Sequence, residues 1–139
     1  MTKSYFIDTS VWIEYFRGTV SALTDLVEDL IKENRVWVNG IIIAELMIGA
    51  RTEKEKEFLS FYMDGLHVLE LKRSAFVGAG GHGFFLKKKG ISVPFNDLLI
   101  ASQCIENNLM LIDNDRYFDA IANQLPLKRY KLLAGPKNI

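Results

Sequence analysis

The stretch Tyr5-Phe6-Ile7-Asp8-Thr9-Ser10 decides how the rest of the chain is read. Its apolar run is short enough for a buried strand and stops abruptly on a carboxylate and two hydroxyls, after which Val11-Trp12-Ile13 resumes apolar character. An open α/β sheet presents such residues in the crevice beyond the carboxyl ends of its strands, where these folds bind ligands. The question is which other acids reach that crevice.

Just beyond this stretch, Thr9 or Ser10 is expected to cap a short helix through Trp12, Ile13 and Phe16 that Arg17-Gly18 ends. Ser21 opens an amphipathic helix with Leu23, Leu26, Val27, Leu30 and Ile31 on one face, and Val36-Trp37-Val38 reads as a buried parallel strand. Asn39-Gly40 then turns the chain into an almost wholly apolar stretch, Ile41 to Gly49, read as a buried helix interrupted by Glu45. Thr52 with Glu55 caps a further helix up to Gly65, and His67 to Leu71 alternates as a strand. The segment from Ser74 to Lys89 stays helical although Gly78, Gly80, Gly81 and Gly83 cost roughly 1 kcal/mol each against alanine.

Beyond Ile91-Ser92-Val93-Pro94, Asn96 is the expected N-cap of a helix carrying Asp97 in its first turn. Leu109 to Ile112 is another apolar strand, and Asp113-Asn114-Asp115 follows its carboxyl end. A short helix from Tyr117 to Gln124 and an edge strand from Tyr130 to Leu133 complete the pattern. The alternation predicts a three-layer α/β fold, with a central parallel sheet of four to five short strands and helices on both faces, in a single domain over residues 1–139.

Composition narrows the function. Lys+Arg and Asp+Glu both count 17, so the net charge is zero, and any contact with nucleic acid has to come from a local patch. Cys104 is the single cysteine, which excludes an intrachain disulfide and argues against a thiolate zinc site. No basic region and apolar run precede the first strand, and no apolar run approaches the roughly 20 residues of a membrane span. A cytoplasmic protein with no membrane contact is expected.

Asp8, Glu45, Asp97 and Asp115 stand where chemistry is plausible. Taken singly, Asp8 caps a helix, Asp97 complements a helix dipole and Asp115 sits in a turn, but Glu45 has no basic residue within one helical turn. Two carboxylates about 4 Å apart repel by roughly 4 kcal/mol at an effective dielectric near 20, so a cluster of four calls for a cation. Oxygen ligands without histidine or cysteine suit a hard ion, Mg²⁺ or Mn²⁺, and the reaction such a site favours is metal-assisted phosphodiester hydrolysis.

The segments Asp8-Thr9-Ser10-Val11-Trp12-Ile13, Ala44-Glu45-Leu46, Asp97-Leu98-Leu99-Ile100-Ala101 and Leu111-Ile112-Asp113-Asn114-Asp115-Arg116-Tyr117-Phe118 resemble, in order and spacing, the successive motifs of PIN-domain ribonucleases. At this size the chain looks most like the VapC-type toxins of toxin–antitoxin pairs. That resemblance implies an endoribonuclease dependent on Mg²⁺ or Mn²⁺, a homodimer, with RNA as substrate and an antitoxin covering the acidic site. It implies Asp8 and Asp97 as principal metal ligands, with Glu45 assisting and Asp115 completing the quartet. The family's threonine two residues before the last acid is Asp113 here, and its further aspartate two residues after is Tyr117, which leaves open whether Asp113 or Asp115 faces the metal. Ser10, at the family's small polar position, either supports a metal-bound water or caps the helix.

Other candidates weigh less. Gly78-Ala79-Gly80-Gly81-His82-Gly83 fits G-x-G-x-x-G, but Lys72 to Val77 separate it from the preceding strand, so helix packing rather than a nucleotide cofactor is expected. His67 and His82 are read as structural or solvated. Arg17, Arg116, Lys87 and Lys88, with Lys72 and Arg73, are candidates for a basic rim that meets RNA. Two competing functions remain: an aspartyl-phosphate phosphatase of the haloacid dehalogenase type, which wants an aspartate where Ser10 stands, and a non-catalytic binding module.

Overall fold

The computed structural model describes residues 3–130. Within them β1 (Tyr5–Ile7), β2 (Val36–Asn39), β3 (His67–Leu69) and β4 (Met110–Ile112) form one sheet in the order β3-β2-β1-β4, and every pairing is parallel. The helices are α1 (Thr9–Phe16), α2 (Ala22–Lys32), α3 (Gly40–Ile48), α4 (Glu53–Asp64), α5 (Arg73–Lys88), α6 (Phe95–Glu106) and α7 (Arg116–Ala122). The path from β1 to β3 steps one way across the sheet and the return to β4 steps back over it. Right-handed crossovers therefore put α1 to α4 on one face and α5 and α6 on the other. The packing agrees: α1 touches α2 and α3, α3 touches α4, and α6 lies between α5 and α7. The three layers, α/β with a parallel sheet, are those expected.

β1 is central, β4 borders it at the end of the strand order, and both are largely dry. Phe6, Ile7 and Leu111 are 0% exposed, and Ile7 pairs with Ile112 so that Asp8 and Asp113 leave the sheet side by side, the Asp8 N–H donating to the Ile112 carbonyl at 3.0 Å. The chain turns toward one face after β1 and toward the other after β4. The crevice between their carboxyl ends is thus the switch point at which open sheets bind ligands.

Several local expectations give way. The cap of α1 is Asp8, whose side chain makes no capping hydrogen bond among the described residues, and the cap of α6 is Pro94, so Thr9, Ser10 and Asn96 are released for other partners. β3 stops at Leu69, and α7 spans Arg116–Ala122 because Asp115 accepts from the Tyr117 N–H and starts it earlier. After α7, Arg129 bridges Leu111 in parallel, while residues 131–133 of the expected edge strand lie outside the described residues. The glycine run divides by face. A Cβ on Gly83 meets Leu98 of α6 at 2.8 Å, as close helix packing requires, whereas Gly80 and Gly81 face open space.

Asn39, read as a turn residue, is 0% exposed and structural. Its Oδ1 accepts from the Ile42 N–H at 3.1 Å and caps α3, while its Nδ2 donates at 2.8 Å to Gln103 of α6, whose own Nε2 donates to the Glu70 carbonyl. This relay ties the helix bearing Glu45 to the helix bearing Asp97. Asn39→Ala removes the cap and leaves buried Gln103 short of a donor, so urea denaturation is expected to read a loss of about 2 kcal/mol. A change under about 0.5 kcal/mol would mean that the relay is incidental.

Candidate active site

Asp8 is 6% exposed at the carboxyl end of β1. Burial raises its pKa from 3.8 to about 6, even though the Thr9 N–H and the Ser10 hydroxyl, at 3.2 Å, both donate to it; the charges of Asp113 and Glu45 push the same way as burial. Ser10 is therefore a direct donor to Asp8 and caps nothing.

Glu45 is half-buried rather than enclosed, because α3 turns one side to solvent, with Ile48 84% exposed. The Thr9 hydroxyl donates to Oε1 at 2.6 Å and the Asn96 amide to Oε2 at 3.3 Å. Both donors sit at helix starts, where sequence reading assigns them to caps. A carboxylate acceptor is worth roughly twice a neutral one. Neither Thr9 nor Asn96 is recognisable from sequence, since each partner lies more than thirty residues away, 36 and 51 respectively.

Asp97, in the first turn of α6, is pushed up to about 7, by burial first, then by a hydrogen bond with the Asp115 carboxyl and by the charges of Asp115, Asp8 and Glu45. A shared proton between two carboxyls is the usual response when no cation separates them. Asp115 is fixed from its other side by the Tyr117 N–H at 2.9 Å. Asp113 is placed differently. Its side chain is 1% exposed and both oxygens are taken by Arg129, through Nη2 at 2.6 Å and Nε at 2.9 Å. Among the described residues no lysine or arginine forms an ion pair with Asp8, Glu45, Asp97 or Asp115.

The donor set fits a hard divalent cation in one particular way. Among the described residues no three acids or histidines close on a single point as a preformed cage would. Instead Asp8, Glu45, Asp97 and Asp115 are near enough to load one another with like charge across an open crevice. Mg²⁺ is commonly held by one or two carboxylates, keeping several waters and sharing substrate phosphate oxygens, rather than by an all-protein cage.

The remaining candidates sort by place. His67 stacks on Trp37 at 4.7 Å and His82 pairs with Ser102 at 2.9 Å, both away from the acids. Lys88 lies over Phe84 and Arg116 over Tyr117, while Arg17 pairs with Glu14 at 3.7 Å. Gly83 against Leu98 and His82 against Ser102 show α5 running antiparallel to α6, which brings the Lys87 and Lys88 end of α5 to the Asp97 end of α6. Arg17 borders a groove of about 940 Å³ between α1, α2, α3 and α4, with Ile13, Phe16, Glu45, Leu46 and Phe58 among its lining residues.

A family profile described as PIN domain matches residues 5–124. Ribonuclease VapC11 of Mycobacterium tuberculosis is 32% identical over 120 residues, which is 84% of this chain and 90% of the relative. Ribonuclease VapC2 of Rickettsia felis is 28% identical over 124 residues, 86% and 92% respectively. Among solved structures, VapBC2 of Rickettsia felis bound to a DNA fragment from its promoter superposes with a TM-score of 0.74 at 24% identity, covering 91% of this chain and 96% of that one. DNA-bound VapBC of Salmonella typhimurium gives 0.75 at 22% identity, covering 92% and 96%. At those identities the two structures speak for the fold.

Proposed function

The chain belongs to the PIN-domain family, with VapC ribonucleases among its relatives, and we propose that it is an endoribonuclease toxin of a toxin–antitoxin pair. It hydrolyses RNA phosphodiester bonds with Mg²⁺ or Mn²⁺ in the cytoplasm. The observation that carries the reading is the pair Asp8 and Asp97, two carboxylates raised by burial and by neighbouring negative charge, with no basic side chain among the described residues to neutralise them. A site of that kind is built for a cation that arrives with its substrate.

Asp8 and Asp97 are the residues that would hold the metal, with Glu45 and Asp115 beside them, and a bound divalent ion supplies the positive charge that a phosphodiester and its attacking water require. Ser10 orients the Asp8 carboxylate. Glu45, held by Thr9 on one oxygen and Asn96 on the other, would orient the attacking water or take its proton. Lys87, Lys88 and Arg116 flank the acids and meet RNA phosphates, while the formally neutral surface elsewhere contributes little. The antitoxin occupies the groove between α1 and α4, whose lining joins Ile13, Phe16, Leu46 and Phe58 to Glu45 of the acid set. A homodimer completes the reading.

The phosphatase alternative loses ground because Ser10 occupies the place of its second aspartate and binds Asp8 instead. The deciding experiment is cleavage of a labelled single-stranded RNA across a titration of Mg²⁺ and Mn²⁺. Cleavage is expected to rise with either ion, to stop with EDTA and to return when metal is added back. Chelator-resistant cleavage sinks the metal mechanism, and hydrolysis of p-nitrophenyl phosphate without RNA cleavage favours the phosphatase.

A further inference from the structure

Asp113 and Asp115 leave β4 two residues apart, and sequence alone does not say which one serves the site. The structure assigns that choice to Arg129: we propose that it is a positioning residue which takes Asp113 out of the acid site and sets Asp115 into it. This rests on the nuclease reading above.

Arg129 comes from a different part of the chain. The Leu111 N–H donates to the Lys128 carbonyl and the Tyr130 N–H to the Leu111 carbonyl, which lays the segment against β4 with Arg129 opposite Leu111. From there its side chain, 13% exposed, reaches the turn that follows β4. The guanidinium grips both oxygens of Asp113, donates to Asp119 of α7, and approaches the Asp115 carbonyl at 3.5 Å. A planar fork matched to a carboxylate is a task that arginine performs and lysine does not.

The consequence passes along the turn. With its orientation fixed, Asp113 Oδ1 also accepts from the Asp115 N–H at 3.0 Å, Asp115 Oδ1 accepts from the Tyr117 N–H, and the Asp115 carboxyl is left facing Asp97. Without Arg129 the buried Asp113 carboxylate loses its only ionic partner among the described residues, and Asp115 loses the turn that aims it. The freed charge is already close enough to act on Asp8. It would swing toward an incoming cation and compete with Asp115 for it.

That competition has a signature that a structural defect lacks. In Arg129→Leu, Mn²⁺ affinity, read from free Mn²⁺ by electron paramagnetic resonance, is expected to rise several-fold because a charge has been unmasked, while kcat for RNA at saturating metal falls about tenfold, the usual scale for losing a group that orients a metal's ligands. Asp113→Asn/Arg129→Leu, which removes that charge but keeps an acceptor for the Asp115 N–H, is expected to return both to within about threefold of wild type. Where Arg129→Leu does not fold, Arg129→Lys keeps the charge without the fork and is expected to lose kcat about threefold at a near-native melting temperature. Variants that lose only thermal stability, or a double variant no better than the single, overturn the inference. Wild-type protein that neither binds Mn²⁺ nor cleaves RNA overturns the nuclease reading and this inference together.

Discussion

Asp97→Asn is expected to reduce RNA cleavage by about 10² to 10³-fold, the loss that follows removal of one preorganised electrostatic contact, while the metal-free protein becomes more stable. The stability change follows from the repulsion it relieves. Asp8 and Asp97 are raised to about 6 and about 7 from 3.8, so between about pH 4 and pH 7 the folded chain binds more protons than the unfolded one. Stability of the metal-free protein therefore falls as pH rises through that window, and is lowest above it. A tenfold change in a carboxylate's proton affinity is worth at most about 1.4 kcal/mol, and Asp97 faces partly into solvent, so screening brings the total well below the simple sum. Differential scanning calorimetry without metal is expected to show a higher melting temperature near pH 5 than near pH 8. Asp8→Asn and Asp97→Asn flatten that slope, and saturating Mg²⁺ removes most of it by favouring the ionised forms. A wild-type curve that rises from pH 5 to pH 8 without metal, or Asn variants that melt markedly lower, would make the acids structural.

Trp12→Ala is expected to cost about 3–5 kcal/mol in urea unfolding, the range for emptying a large core site. Trp12 is 0% exposed, stacked on Phe16 at 5.5 Å and met edge-on by Tyr15 and Tyr62 at 6.0 and 6.1 Å, so it pins α1 against α4. Its Nε1 is buried without a hydrogen-bond partner among the described residues. Trp12→Phe discards that unsatisfied donor along with some apolar area, and the two effects offset, leaving a loss of about 1 kcal/mol. Equal losses in the two variants would mean that the indole N–H is satisfied in solution. Because α1 begins with the two hydroxyls that hold Glu45 and Asp8, Trp12→Ala should also lose cleavage at temperatures where it remains folded, whereas Trp12→Phe should keep it.

What local pattern could read, it read well. Short apolar strands alternating with helices define a parallel sheet, because strands buried on both faces must be apolar throughout and crossovers must be helical and right-handed. The acids at the strand ends were legible for the same reason, since carboxylates that interrupt apolar runs have few places to go. Helix-start residues are the exception. Thr9, Ser10 and Asn96 have the chemistry of caps, and their immediate neighbours in the chain do not reveal that Glu45 or Asp8 is the better acceptor.

The layer order, the parallel sheet and the set of acids near its carboxyl edge were thus already written in the order of the amino acids. How those acids are oriented and neutralised was decided only in the folded chain. Thr9 finds Glu45 across 36 residues, Asn39 finds Gln103 across 64, and Arg129 finds Asp113 across 16. Secondary structure is set by periodicity and hydrogen bonds within a few residues, which sequence displays directly. A charged group's partner is set by whichever donor the packed sheet and helices bring within about 3 Å, and that distance exists only after the chain has folded.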